Sequence, residues 1–540
     1  MEMQGRIWGE SLSFTLSTVR TALCGLGLSA VCLCMIPSGT MAGTIFGTPW
    51  PEIGSWGQAW DEAEEDVLPP ADTPSSITAF PEINRGQVKT LPNPDFGAQE
   101  CFAFPSGTRD TLSHVLAAAY SESPTLKAQR ATLRALDERA VQAKSGERPT
   151  VTGTGKVGRG VFTDTSSREY DQMRNTAQYG VVISQPLYDG GRTGAAIKEA
   201  DANIMAGRAL LQKMEQDVLM QAVGAYLDVM RTEGVLRLND RNVAALQAEL
   251  EDAQRRNTVH ETSQTDIAQV QARLSSAEAA RAQAVGAVGA AKANFTNVVG
   301  YPPGALEPVP APSSLPASLE EAIKLARTSN PLITSARQKA ASVQYGIDVV
   351  ESELMPHVSL DAEYDRQLGY SSAGSEQVAS ALLLKLRVPL YSSGSTEARL
   401  RAQKHLAGDA SLQAAQSRRD VDEQTITAWN DLLRFRAEKV AKTAQIKSAE
   451  IALKGSRLEE AQGQRTKLDV LNAQLELFYA QTAACSSLFQ ERAAAYRLLV
   501  AVGGMTVDGL GLPVQPYDPS VNYEKTKGRW FGVDVMEEQS

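Results

Sequence analysis

Few side chains in this sequence are spaced for chemistry, and those few argue against catalysis. The four histidines, His114, His260, His357 and His405, are scattered without metal-ligand spacing. The two cysteines beyond residue 42, Cys101 and Cys485, cannot build a zinc cluster. Gly153-Thr154-Gly155-Lys156 invites a phosphate-loop reading, but the spacing is wrong and Val157 stands where Ser or Thr is required. A strand with one wet face suits that segment better. An enzyme is therefore the poorest fit, and neither a metal nor another cofactor is expected. The net charge of −10 gives no basic footprint for nucleic acid.

The elements that carry these residues are written twice. Pro124 and Pro149 recur as Pro331 and Pro356, both 207 positions on. Gln185-Pro186-Leu187-Tyr188 returns as Val388-Pro389-Leu390-Tyr391, and Val299-Gly300 as Val502-Gly503, both 203 positions on. A register that slips by only four residues between the two shifts implies two structurally equivalent halves, 109–304 and 317–504, joined by a Pro-rich linker over 305–316.

Residues 1–42 look like a removable export signal: Arg6 and Arg20 supply positive charge, Thr21 to Ile36 is apolar, and Thr40-Met41-Ala42 offers a small-x-small cleavage site. A retained N-terminal anchor is the alternative. In an oxidising compartment Cys101 and Cys485 could pair, stapling the N-terminal segment to the helical body; two buried thiols are the other reading. Residues 43–108, rich in Pro, Gly, Trp and acidic residues, read as an irregular extension. The tail over 505–540, with Pro513, Pro516 and Pro519, is expected to be irregular from Leu512 onward.

Each half should open with a short helix and a second one ending just before Pro149 or Pro356, since proline disfavours helix at the residue before it. The period then changes to two. Thr152, Thr154 and Lys156 share one face of their segment, apolar and polar residues alternate from Val358 to Asp365, and Leu382, Leu384, Leu386, Val388 and Leu390 share a face opposite Lys385 and Arg387. This is the pattern of a sheet with one apolar and one wet face, as in a transmembrane barrel or a surface hairpin. Long helices follow. Ile197, Ile204, Leu211, Val218 and Ala225 fall seven apart, as do Leu400, Ala407, Ala414, Val421 and Ala428, the mark of helices packed along their length. Reversals are expected at 256–264 and 462–466, with return helices ending at Val299 and Val502.

Two strands per half give four per chain. An open four-stranded sheet would leave unpaired backbone in lipid at several kcal/mol per group, so membrane insertion requires several copies. In composition, sparse aromatics (6%) and plentiful alanine suit extended, closely packed helices rather than one large core.

The order and double occurrence of these motifs resemble the TolC family of outer-membrane efflux and secretion channels, from about Thr111 to Gly504. The residues that carry the likeness include Ser184-Gln185-Pro186-Leu187-Tyr188-Asp189-Gly190-Gly191-Arg192, Thr265-Asp266-Ile267 and Leu468-Asp469-Val470-Leu471-Asn472-Ala473-Gln474. The resemblance implies an α+β membrane protein: a homotrimer with a twelve-stranded transmembrane β-barrel and a long α-helical coiled-coil barrel reaching into the periplasm of a Gram-negative bacterium. It implies docking onto a periplasmic adaptor and an inner-membrane transporter, with outer-membrane lipid around the barrel.

The resemblance also implies a periplasmic gate. Asp469 matches the first gate aspartate, and Asn472 replaces the second, which halves the acidic charge. Arg465 matches one gate-locking partner, with Thr265 and Asp266 on the opposing helical pair. Glu460 stands where the archetype has tyrosine. At the adaptor-docking tips Gly463 is kept, whereas His260 replaces its counterpart. Three Asp469 carboxylates around an axis would favour cations, whereas a single one would cap a helix start. A soluble periplasmic coiled-coil scaffold is the alternative function; it explains the heptads but not two strand pairs at matching places.

Overall fold

The computed structural model describes residues 109–162, 172–258, 263–312, 314–371 and 374–534, all within one unit, Lys89–Ser540. The expected export leader over 1–42, the expected extension over 43–108, Cys101 and His260 lie outside the described residues.

The prolines that mark the repeat start helices. In the first half β1 (Arg109–Asp110) leads into α1 (Leu112–Glu122) and α2 (Pro124–Lys144). In the second, α5 (Leu319–Ser329) leads into α6 (Pro331–Glu351). Ser123 and Asn330 cap α2 and α6 through their side chains, with Pro124 and Pro331 in the first turn, where a missing N–H costs nothing. Both second helices tighten into a 3-10 turn, Ser145–Glu147 and Ser352–Leu354, before Pro149 and Pro356 deliver the chain to a strand.

The strands are β2 (Thr150–Phe162), β3 (Gln172–Tyr188), β5 (His357–Leu368) and β6 (Glu376–Arg387), in one antiparallel sheet of order β2-β3-β5-β6. Register sorts the side chains cleanly. Val151 lies opposite Ile183, Val181 opposite Tyr364, and Leu360 opposite Leu384, all on one face. The other face carries Thr152, Thr154, Lys156, Gln178, Ser184, Asp361, Glu363 and Lys385. Strand β6 stops at Arg387, short of Val388 and Leu390, so the apolar ladder ends at Leu386.

Two 67-residue helices follow the strands, α3 (Arg192–Thr258) and α7 (Ser395–Ala461), each about 100 Å long. They return as α4 (Gln264–Val299) and α8 (Lys467–Ala501). Helix α3 packs on α2, α4, α6 and α8, and α7 packs on α5, α6 and α8. The main core lies where α1, α3, α4 and α8 cross, with Leu116, Tyr226, Met230, Phe295, Leu498 and Leu499 almost wholly buried. Here the linker is fixed. Its strand β4 (Ala305–Leu306) pairs in parallel with β1, and the Tyr226 hydroxyl lies 2.9 Å from Asp110 O and 2.6 Å from Glu307 O. Burial pushes that phenol well above its ordinary value, so it stays protonated as a donor. No described helix is long and apolar enough to cross a membrane, which says nothing of the sheet.

The tail departs from expectation. After α9 (Val507–Leu510) it forms α10 (Ser520–Thr526), which packs on α2. Arg130 is held between the rings of Tyr120 and Tyr517, at 4.9 and 4.8 Å. Asn522 donates to Asp137 at 2.7 Å and Tyr523 to Asp201 at 3.0 Å. Proline-rich composition suggested irregular chain, but these contacts, made to residues more than 300 positions away, fix it.

Candidate functional site

The site residues gather where α3 turns into α4 and α7 into α8. The second turn is built by Gly463 at φ +74°, in the left-handed region where glycine carries no penalty, with its N–H on Glu460 O at 2.8 Å. Thr466 and Asp469 then close a capping box on α8: Asp469 N–H donates to Thr466 Oγ1 at 3.3 Å, and Asp469 Oδ2 accepts from Thr466 N–H at 3.1 Å and from its hydroxyl at 2.8 Å. These hydrogen bonds from Thr466 hold the exposed Asp469 carboxyl below its ordinary value. The first turn repeats the device, with Ser263 and Asp266 capping α4. Asp469 and Asp266 thus occupy equivalent positions, each anchored to its own helix start.

Arg465 does not reach the first helical pair within the chain. Its Nε lies 2.5 Å from Glu459, and it donates to Ser456 at 3.2 Å, both on α7. Thr265 is exposed, and Asp266 faces its own cap. Glu460 meets Arg256 of α3 at 4.0 Å and Lys467 at 3.8 Å rather than Asp266. Asn472 accepts from Arg273 of α4 at 3.0 Å and so ties the two pairs together. Cys485 is buried in α8.

The least exposed ion pair described between the hairpins involves a residue that sequence reasoning missed. Lys467, with only 13% of its side chain exposed, forms an ion pair with Glu249 of α3. Arg457 approaches the same carboxylate at 3.8 Å. A lysine in the first turn of a helix faces the positive end of the macrodipole, which disfavours it unless an anion lies nearby. That local anomaly was the available signal. Among the described residues no cluster of three or more His, Cys, Asp or Glu is placed to hold a metal. What the tip can do is make and break ion pairs between two helical hairpins.

At the other end the wet face of the sheet is also charge-paired. Lys385 reaches Asp361 at 2.8 Å and Glu363 at 2.6 Å, Ser184 donates to Asp361 at 2.6 Å, and Gln178 donates to Asp365 at 3.0 Å. The opposite face exposes Val151, Val157, Val181, Ile183, Tyr364, Leu382, Leu384 and Leu386. A soluble scaffold has no use for such a face.

Residues 115–301 and 322–504 match the family model described as outer membrane efflux protein. The chain is 34% identical over 426 residues to the outer membrane efflux protein BepC of Brucella suis biovar 1, covering 78% of this chain and 92% of that one. It is 26% identical over 336 residues to the proteases secretion protein PrtF of Dickeya chrysanthemi, covering 59% of this chain and 70% of that one. The outer membrane protein VceC of Vibrio cholerae superposes with a TM-score of 0.64 at 19% identity, over 73% of this chain and 96% of that one. The fold is that of these channels, mostly helical with a small sheet. The protein is an outer-membrane channel of the efflux and secretion type, a transporter rather than an enzyme. It belongs to the outer membrane efflux protein family.

Proposed function

We propose that three copies of this chain close a twelve-stranded barrel in the outer membrane and a helical tunnel beneath it. In this reading the duct accepts substrate from an inner-membrane transporter through a periplasmic adaptor, which docks at the tips near Gly463 and His260. The observation that carries the reading is what a single chain leaves uncovered. Among the described residues the sheet has two unpaired edges, β2 and β6, and one apolar face. Each unsatisfied backbone group in lipid costs several kcal/mol, so the edges must meet other copies.

The periplasmic end is the gate in this proposal. Lys467–Glu249, Glu460–Arg256 and Arg273–Asn472 hold the two hairpins of each chain together, and Arg465 on Glu459 braces the second turn. Asp469 from three copies would line the constriction and favour cations. The experiment is single-channel recording of the purified protein in planar bilayers, with its mass in detergent measured alongside. A trimer that conducts poorly until the tip ion pairs are broken supports the proposal; a monomer without conductance sinks it.

A further inference from the structure

Residues 529–534 of the tail are folded to put three apolar side chains outside. Arg148 donates to Arg529 O at 2.7 Å, and its guanidinium lies 4.7 Å from the centre of the Trp530 ring. Arg529 in turn reaches back, donating to Phe531 O at 3.2 Å and to Asp534 O at 2.8 Å. Gly532 permits the turn: its φ is +107°, and a Cβ there would sit 2.8 Å from the Arg529 guanidinium. Two arginines thereby bind three carbonyls of this loop, those of Arg529, Phe531 and Asp534. Trp530, Phe531 and Val533 remain 59%, 88% and 96% exposed. Each carbonyl bound in this way lowers the cost of taking the displayed apolar side chains into an apolar medium.

The position of the loop says which medium. Arg148 stands two residues before β2, whose apolar face begins at the exposed Val151. At the same end of the sheet, exposed Tyr188 closes β3 and exposed Tyr391 follows β6. Aromatic side chains concentrate where a membrane meets water. We propose that Trp530, Phe531 and Val533 insert into the periplasmic, phospholipid leaflet of the outer membrane, as an anchor beside the barrel. The proposal rests on the reading that the sheet spans that membrane.

The test uses the full-length protein in phosphatidylethanolamine–phosphatidylglycerol vesicles whose acyl chains carry bromine, a contact quencher of tryptophan. The Trp530 signal is the difference between the wild type and Trp530→Phe. Brominated lipid should remove about half or more of that signal, as expected for a ring at the interface. The Phe531→Asp, Val533→Asp double variant should lose the quenching while conductance is retained. An unquenched, blue-shifted Trp530 in a conducting channel would place the loop against a neighbouring copy of the chain, and an unquenched, water-like one in solvent; either overturns the anchor alone. Quenching that survives the double variant also overturns it. Absence of conductance in the wild type would instead overturn the membrane-spanning reading beneath it.

Discussion

Helices α3 and α7 have the same length and the same place in their halves, yet they meet very different surroundings. In α3 the heptad stripe of Ile204, Leu211, Val218 and Ala225 is buried within the chain, beside Leu219, Tyr226 and Met230. Helix α7 buries a thinner line, Ala407, Val421, Leu432 and Phe435, and leaves another uncovered. Ile426, Leu433 and Val440 fall seven apart and are all exposed, as are Ile451 and Leu458. One long helix buries its main stripe inside the chain. The other leaves an apolar stripe exposed, which in the trimer proposed above is a seam for a neighbouring copy.

That contrast can be broken at its widest point. Leu219→Asp would bury a charge in the core and should unfold the chain, at a cost of several kcal/mol, visible as loss of helical circular dichroism. Val440→Asp should leave the helical signal intact and abolish the trimer; a trimer that survives in native mass spectrometry would mean that the exposed seam of α7 is not the assembly interface.

The tips sharpen the same comparison on a smaller scale. Lys467→Glu places a like charge against Glu249 and Glu460 and should loosen α8 from α3 by about 3 kcal/mol, the scale for breaking a largely buried pair. Entry of bulky antibiotics or dyes into cells should rise, and unchanged permeability would remove the Lys467–Glu249 pair from the gate. Asp469→Ala should lower cation selectivity and block by divalent cations. Because Thr466 depresses the Asp469 carboxyl, its capping contribution is complete above the ordinary Asp value and is lost only as pH falls through the lowered one. Block that depends on Asp469 should therefore persist at about pH 5; block that titrates away by then would point to another group. Arg465→Glu should give the smallest leak, since the residue is exposed and binds within its own helix and turn. A leak larger than that of Lys467→Glu would reverse the ranking and point to a contact across the trimer.

Much of this architecture was legible in local pattern. Pro124, Pro149, Pro331 and Pro356 marked helix starts and strand entries because proline acts through its own backbone. The alternation from Val358 to Asp365 gave β5 and its faces, because side-chain period follows directly from the pleat. Lys467 was overlooked because its partner is Glu249, 218 residues away, and the family pattern drew attention to Arg465. Helix α10 was missed for the same reason: its seven residues are held by Asp137, Asp201 and Arg208, none of them near in sequence. The exposed stripe of α7 is hard to read from sequence because it is interleaved with the buried stripe that matches α3.

The equal lengths of α3 and α7 constrain how the protein can change. Both hairpins must end at one level for Lys467 to meet Glu249 and Arg273 to meet Asn472. A deletion in one helix alone would offset the tips and rotate every seam below it. The reach of the molecule is thus a shared variable, adjustable only by matched steps in four helices together that keep the stripes in phase. Relatives that span a wider or narrower periplasm should differ by such quanta, with insertions of other sizes confined to the loops.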